Sequence, residues 1–171
     1  MTRADYFKAI EMKTAELFAL SCDLGAGLSG ASALQRLALR QYGSLLGTAY
    51  QVYDDCVDLF GTEAAAGKSL GTDLAKGKLT LPLLLAWERA SAADRRKLEK
   101  LVETWQTASM PRVSELLTKY ETLGPSLEII EQYLDRARET LRTLPESSGR
   151  AGLSGLTEYL TRQTTALGDC V

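Results

Sequence analysis

One amide and three carboxylates lie close together in the segment Gln51-Val52-Tyr53-Asp54-Asp55-Cys56-Val57-Asp58. On a helix, at about 100° per residue and with Gln51 at zero, Asp54 falls at about 300°, Asp55 at about 40° and Asp58 at about 340°. They share one arc, and Ala49, Val52, Tyr53, Cys56, Val57, Leu59 and Phe60 occupy the other side. A charged helical stripe is commonly a solvated face. Two details favour chemistry instead. No Lys or Arg stands four residues away to offset the acids, and Gly43, Ser44 and Gly47, one and two turns back, let a helix or a ligand approach closely. Clustered carboxylates beside an amide suit a hard divalent cation. Mg²⁺ is the natural one, because it keeps its waters and shares phosphate oxygens.

The glycine-rich stretch from Gly61 to Lys78 follows this helix and carries two Gly-Lys pairs, Gly67-Lys68 and Gly77-Lys78, around Thr72-Asp73. A phosphate-cradling P-loop is excluded at Gly67-Lys68-Ser69. The spacing from Gly61 is one residue too long, and a helix precedes it where a strand is required. Lysines just past an acidic helix end can instead clamp a diphosphate that a metal holds. Lys13, beside Thr14 in an apolar first helix, is a third candidate; the simpler alternative is a snorkelling lysine.

The elements that must position these groups read as helices. Phe7, Ile10, Thr14, Leu17, Phe18, Ser21 and Leu24 recur at helical steps, and Gly25 to Gly30 offers a stop. A long helix is expected from about Ala31 to Phe60. Another follows from Leu81 to Ala90, with Pro82 in its first turn. Shorter runs cover 92–106, 111–123, 126–144 and 150–167, with Gly124-Pro125 read as a helix end. Nothing alternates long enough for a strand, so the expectation is an all-α helical bundle, one domain over 1–171.

Composition narrows the chemistry. The 171 residues hold 20 Lys+Arg, 22 Asp+Glu and no His. The missing His excludes Ser-His-Asp and Cys-His catalysis and His-ligated zinc. A near-neutral balance gives no basis for nucleic-acid binding. Three spaced cysteines (Cys22, Cys56, Cys170), no secretory signal and no spanning apolar run indicate a cytoplasmic chain without a membrane span.

Taken together, Gln51-x-x-Asp54-Asp55-x-x-Asp58, Gly67-Lys68, Gly71-Thr72-Asp73, Gly77-Lys78 and Thr80-Leu81-Pro82 resemble the second aspartate-rich region of the trans-isoprenyl diphosphate synthases, the polyprenyl synthetases. Tyr6, Ile10 and Lys13-Thr14-Ala15 resemble their Lys-Thr helix. Ala137-Arg138 to Pro145 and Leu156–Tyr159 resemble their C-terminal end. The resemblance implies an Mg²⁺-dependent prenyltransferase of isoprenoid biosynthesis. Such enzymes join isopentenyl diphosphate to an allylic diphosphate, whose departure leaves an allylic cation for the homoallylic double bond to attack. Carried onto this sequence, Asp54, Asp55 and Asp58 would hold Mg²⁺ on the allylic diphosphate, with Asp54 foremost. Lys13, Lys68 and Lys78 would contact that diphosphate, and Thr14 and Gln51 would line the cavity. The departing diphosphate can serve as base, so the family's chemistry needs no His.

The same resemblance covers only the C-terminal half of such an enzyme. The first Asp-Asp-x-x-Asp motif with its paired arginines, and the Gly-Lys-Arg group for isopentenyl diphosphate, have no counterpart. Asp94-Arg95-Arg96 is a lone acid before a basic pair, and Asp135 stands alone. The expectation is a chain that holds one side of a diphosphate and does not elongate prenyl chains by itself. It is either part of a longer synthase or a short non-catalytic partner subunit of one. A homodimer or a complex with a partner synthase subunit is expected, and helices should present apolar faces to what is absent.

Overall fold

The computed structural model describes residues 1–67 and 69–169. Lys68, one of the lysines expected at the diphosphate, lies outside them. Ten α-helices lie among the described residues, and no strand occurs there. They are α1 (Arg3–Ile10), α2 (Glu16–Leu28), α3 (Ala33–Phe60), α4 (Glu63–Ala66), α5 (Thr72–Ala75), α6 (Leu81–Arg89), α7 (Ala92–Glu103), α8 (Met110–Lys119), α9 (Leu123–Arg142) and α10 (Ser148–Asp169). A turn of π-helix, Glu11–Ala15, joins α1 to α2.

Local signals explain the starts. The Thr2 hydroxyl accepts from the Asp5 N–H while the Asp5 carboxylate accepts from the Thr2 N–H, a reciprocal cap for α1. Ser32 and Gln35 do the same for α3. Pro82 and Pro111 sit in the first turns of α6 and α8, where a missing N–H costs nothing.

The long helix α3 is the axis of the fold, and it packs most extensively on α2 and α9. Its apolar side, with Ala49, Val52 and Cys56, shares a core with Ile130, Leu134 and Ala137 of α9, Leu160 and Leu167 of α10, and Tyr6 and Ile10 of α1. A second core joins Leu59 to Leu74, Leu83, Leu98, Val113 and Leu117, tying α5, α6, α7 and α8 beneath the acidic end of α3.

Some boundaries differ from the pattern in the sequence. The first helical stretch runs through Gly25 and Gly27 and stops at Leu28; the left-handed residue is Gly30, at φ 75°. Gly124-Pro125 belongs to the first turn of α9 and does not end the preceding helix, because a helix start tolerates Pro as readily as a stop uses it. Gly43 and Gly47 serve helix packing. A Cβ on Gly43 would meet the Phe18 carbonyl oxygen at 2.5 Å, and one on Gly47 would meet the Ala15 Cα at 2.8 Å, so α2 lies against α3 at backbone distance.

Candidate functional site

The three carboxylates of α3 have different surroundings. Asp55 is buried. One of its oxygens accepts from the Tyr6 hydroxyl at 2.6 Å, and the other from the Gln51 amide at 2.9 Å. Gln51 in turn accepts from the Thr14 hydroxyl at 2.7 Å. Thr14 sits in the π-helical turn, whose extra residue per turn re-aims the side chains beside it. The Lys13-Thr14 segment is thereby fixed to the acidic face of α3, with Lys13 exposed. Burial pushes the Asp55 carboxyl up to about 6, and the carboxylates of Asp73 and Asp54 push the same way. Burial beside Asp55 likewise holds the Tyr6 phenol far above its ordinary range, so it remains a donor.

Asp58 organises the loop. Its oxygens accept from the Thr72 N–H at 3.2 Å, the Thr72 hydroxyl at 3.1 Å and the Asp73 N–H at 3.0 Å, and its carbonyl accepts from the Gly71 N–H at 3.0 Å. Gly71 is left-handed at φ 70°, the conformation that turns the chain into α5. Asp73 then accepts from the Lys78 ammonium at 2.6 Å, which holds that ammonium above its ordinary pKa. Lys78 therefore reaches the acidic end of α3 through Asp73 and Asp58, and is itself largely exposed.

Asp54 is half-buried, in the wall of a cavity of about 530 Å³ between α3 and α10. The other walls are mostly apolar, including Phe18, Tyr50, Tyr53, Val57 and Tyr159. Among the described residues no three carboxylate or thiol groups converge as a ready cation cage. The carboxylates on this helix face still fit Mg²⁺, which is ordinarily held by one or two carboxylates with the remaining positions left to water and phosphate oxygens.

The structure thus joins Thr14, Gln51 and Asp55 in one hydrogen-bonded chain, and Asp58, Asp73 and Lys78 in another. Tyr6, Thr72 and Asp73 take part without having been assigned roles from sequence. The Gly71-Thr72-Asp73 run, a left-handed glycine before two good helix-start residues, was the readable signal for the last two. Nothing local marks Tyr6 as a partner of Asp55, far along the chain.

The all-α fold is shared with isoprenyl diphosphate synthases of solved structure. The polyprenyl synthetase family profile matches residues 1–120, and the chain belongs to that family. It is 37% identical over 155 residues to heptaprenyl diphosphate synthase component 2 of Bacillus subtilis, covering 91% of this chain and 44% of that protein. Among solved structures, a polyprenyl synthase from Caulobacter crescentus, complexed with calcium and isoprenyl diphosphate, superposes with a TM-score of 0.89 at 34% identity. That match covers 95% of this chain and 51% of the other. A decaprenyl diphosphate synthase from Rhodobacter capsulatus gives 0.87 at 32% identity, covering 96% and 51%. The chain spans about half the length of these relatives.

Proposed function

We propose that this chain is the diphosphate-gripping half of a prenyltransferase, binding an allylic diphosphate with Mg²⁺ for condensation with isopentenyl diphosphate. The observation that carries this reading is the pair of hydrogen-bonded chains on α3, which bring the remote Lys13-Thr14 and Gly77-Lys78 segments to one acidic helix face. Asp54 would hold the metal directly. Asp55 and Asp58, expected as further ligands, accept hydrogen bonds from Tyr6, Gln51, Thr72 and Asp73 and stand beside Asp54 on the same helix face. In this reading they bear on the metal through the field of their charge and through the segments they fix.

When bound, Mg²⁺ would neutralise the diphosphate and ease its departure. Lys13 and Lys78 add positive charge around the same oxygens, and the sequence puts Lys68 with them. Gln51, held by Thr14, orients an amide at the floor of the site. The apolar walls beside Asp54 suit a prenyl tail and exclude water from it.

With no second acidic helix facing this one among the described residues, elongation requires a further chain segment. The protein then acts as part of a synthase or as a partner subunit, and the cytoplasm is its place of work. The test is calorimetric titration with inorganic diphosphate. Binding should appear with Mg²⁺ and fall at least about tenfold on chelation, as expected where a metal bridges the anion. Incubation with isopentenyl and farnesyl diphosphates and Mg²⁺ should give no longer product; elongation by this chain alone would overturn the half-site reading.

A further inference from the structure

A cavity between α7 and α8, away from the acidic face of α3, has the reverse charge. Its volume is about 520 Å³, within the range of small-molecule sites, and its walls carry Lys97 and Lys100 from α7 and Arg112 and Lys119 from α8. The spacing within each pair follows the helical repeat, so each helix turns its two cations to one side. Leu98 of α7 and Val113 and Leu117 of α8 lie in the second core, which fixes the two helices against each other.

The acids in these walls, Asp94 and Glu115, do not balance the four cations. Asp94 is buried, and the ammonium groups of Lys97 and Lys119 both donate to it, at 2.8 and 2.6 Å. Those two lysines keep 67% and 58% of their side chains exposed, and each ammonium has donors beyond the one that Asp94 receives. Asp94 thus anchors two cations that still face the cavity. Lys100 and Arg112 are exposed and make no ion pair among the described residues. They add nothing to the tie between α7 and α8. They bring like charge beside Lys97 and Lys119, which costs repulsion until an anion enters. A structural tie needs only Asp94 and its donors, so the surplus cations mark a site. Arginine, with its planar fork, and lysine, as a point charge, are the side chains that take phosphate oxygens.

We propose that the cavity between α7 and α8 binds a small phosphate-bearing anion without a metal ion, at a site separate from the carboxylates of α3. Lys97, Lys100, Arg112 and Lys119 hold the anion, and Asp94 positions two of them. This site does not depend on the prenyl-diphosphate reading. The probe is inorganic triphosphate, titrated by calorimetry in excess chelator, where no metal can bridge the anion to Asp54, Asp55 or Asp58. Saturable binding is expected. Lys100→Gln/Arg112→Gln, with its fold confirmed by circular dichroism, should weaken it at least about tenfold, as for the loss of two charge-assisted contacts. Arg142→Gln/Arg162→Gln, which removes the same charge from exposed positions on α9 and α10, should leave it unchanged. Sedimentation with phosphatidylglycerol vesicles should leave the chain in the supernatant, because a concave site between helices suits a free anion. No triphosphate binding, or an equal loss in both double variants, would overturn the proposal. Co-sedimentation abolished by Lys100→Gln/Arg112→Gln would overturn it as well, by assigning the cations to a lipid headgroup.

Discussion

Asp55 on α3 and Asp94 on α7 are both buried carboxylates held by three or fewer side chains, and their surroundings are opposite. Asp94 accepts from the ammonium groups of Lys97 at 2.8 Å and Lys119 at 2.6 Å and from the Tyr120 hydroxyl at 2.8 Å. Its charge is answered on the spot, and the Lys119 hydrogen bond, followed by those of Lys97 and Tyr120, holds its carboxyl well below the usual range. Asp55 accepts only from the neutral Tyr6 and Gln51, with other acids nearby. One cluster uses charge to tie α7 to α8. The other keeps negative charge in store at a cost to the fold, which is what an electrostatic binding site requires. Arg95, adjacent to Asp94 in sequence, turns to the carbonyls of Trp87 and Glu88, so Asp94-Arg95-Arg96 is structural and not a second acid motif.

The largest effect on this contrast should come from Asp58. Asp58→Ala removes a carboxylate that satisfies two backbone N–H groups and a hydroxyl, and unfolding in urea should reveal a loss on the order of 3 kcal/mol. Lys78, which depends on that loop, should lose its place along with it. Asp58→Asn, retaining one acceptor, should recover part of the stability.

A smaller effect, of opposite sign at the two clusters, is expected from pH. Because the folded carboxyl of Asp55 is raised from 3.8 to about 6, its favourable contribution is full below about pH 4 and is lost as pH rises through about 6. Asp55→Asn should therefore stabilise the metal-free protein at pH 7, on the order of 1–3 kcal/mol, and flatten the slope between those values. Asp94 has a lowered pKa, so its contribution is present above the ordinary value of 3.8 and lost as pH falls through the folded value. Asp94→Asn should lower the melting temperature at pH 7 and have little effect in strong acid. Melting curves from about pH 1 to about pH 8 check both; slopes of the same sign in the two variants would erase the distinction.

Much of this was legible before the structure. Helical periodicity gave α3 to within a residue or two, because a 28-residue helix with a reciprocal cap and one apolar side has few alternatives. Gln51, Asp54, Asp55 and Asp58 fell on one face for the same reason. What the sequence could not convey was which groups meet Asp55 and Asp58. That depends on Tyr6, Thr72 and Asp73 arriving from other elements, and a stripe of like residues does not encode such partners. Gly43 and Gly47 were readable as an approach site, while the occupant, Ala15 of the π-helical turn with Phe18 and Ala19 of α2, required the packed fold. The π-helical turn that sets Thr14 against Gln51 leaves no mark in a pattern counted at 3.6 residues per turn.

Asp54 carries the central claim, and Asp94 is its control. Diphosphate titrations in Mg²⁺ should be run on Asp54→Ala and Asp94→Ala, each confirmed as folded. The account predicts that Asp54→Ala weakens Mg²⁺-dependent binding at least about tenfold, the loss of one charge-assisted metal contact, while Asp94→Ala leaves it unchanged. Undiminished binding by Asp54→Ala, or an equal loss in both variants, would contradict it.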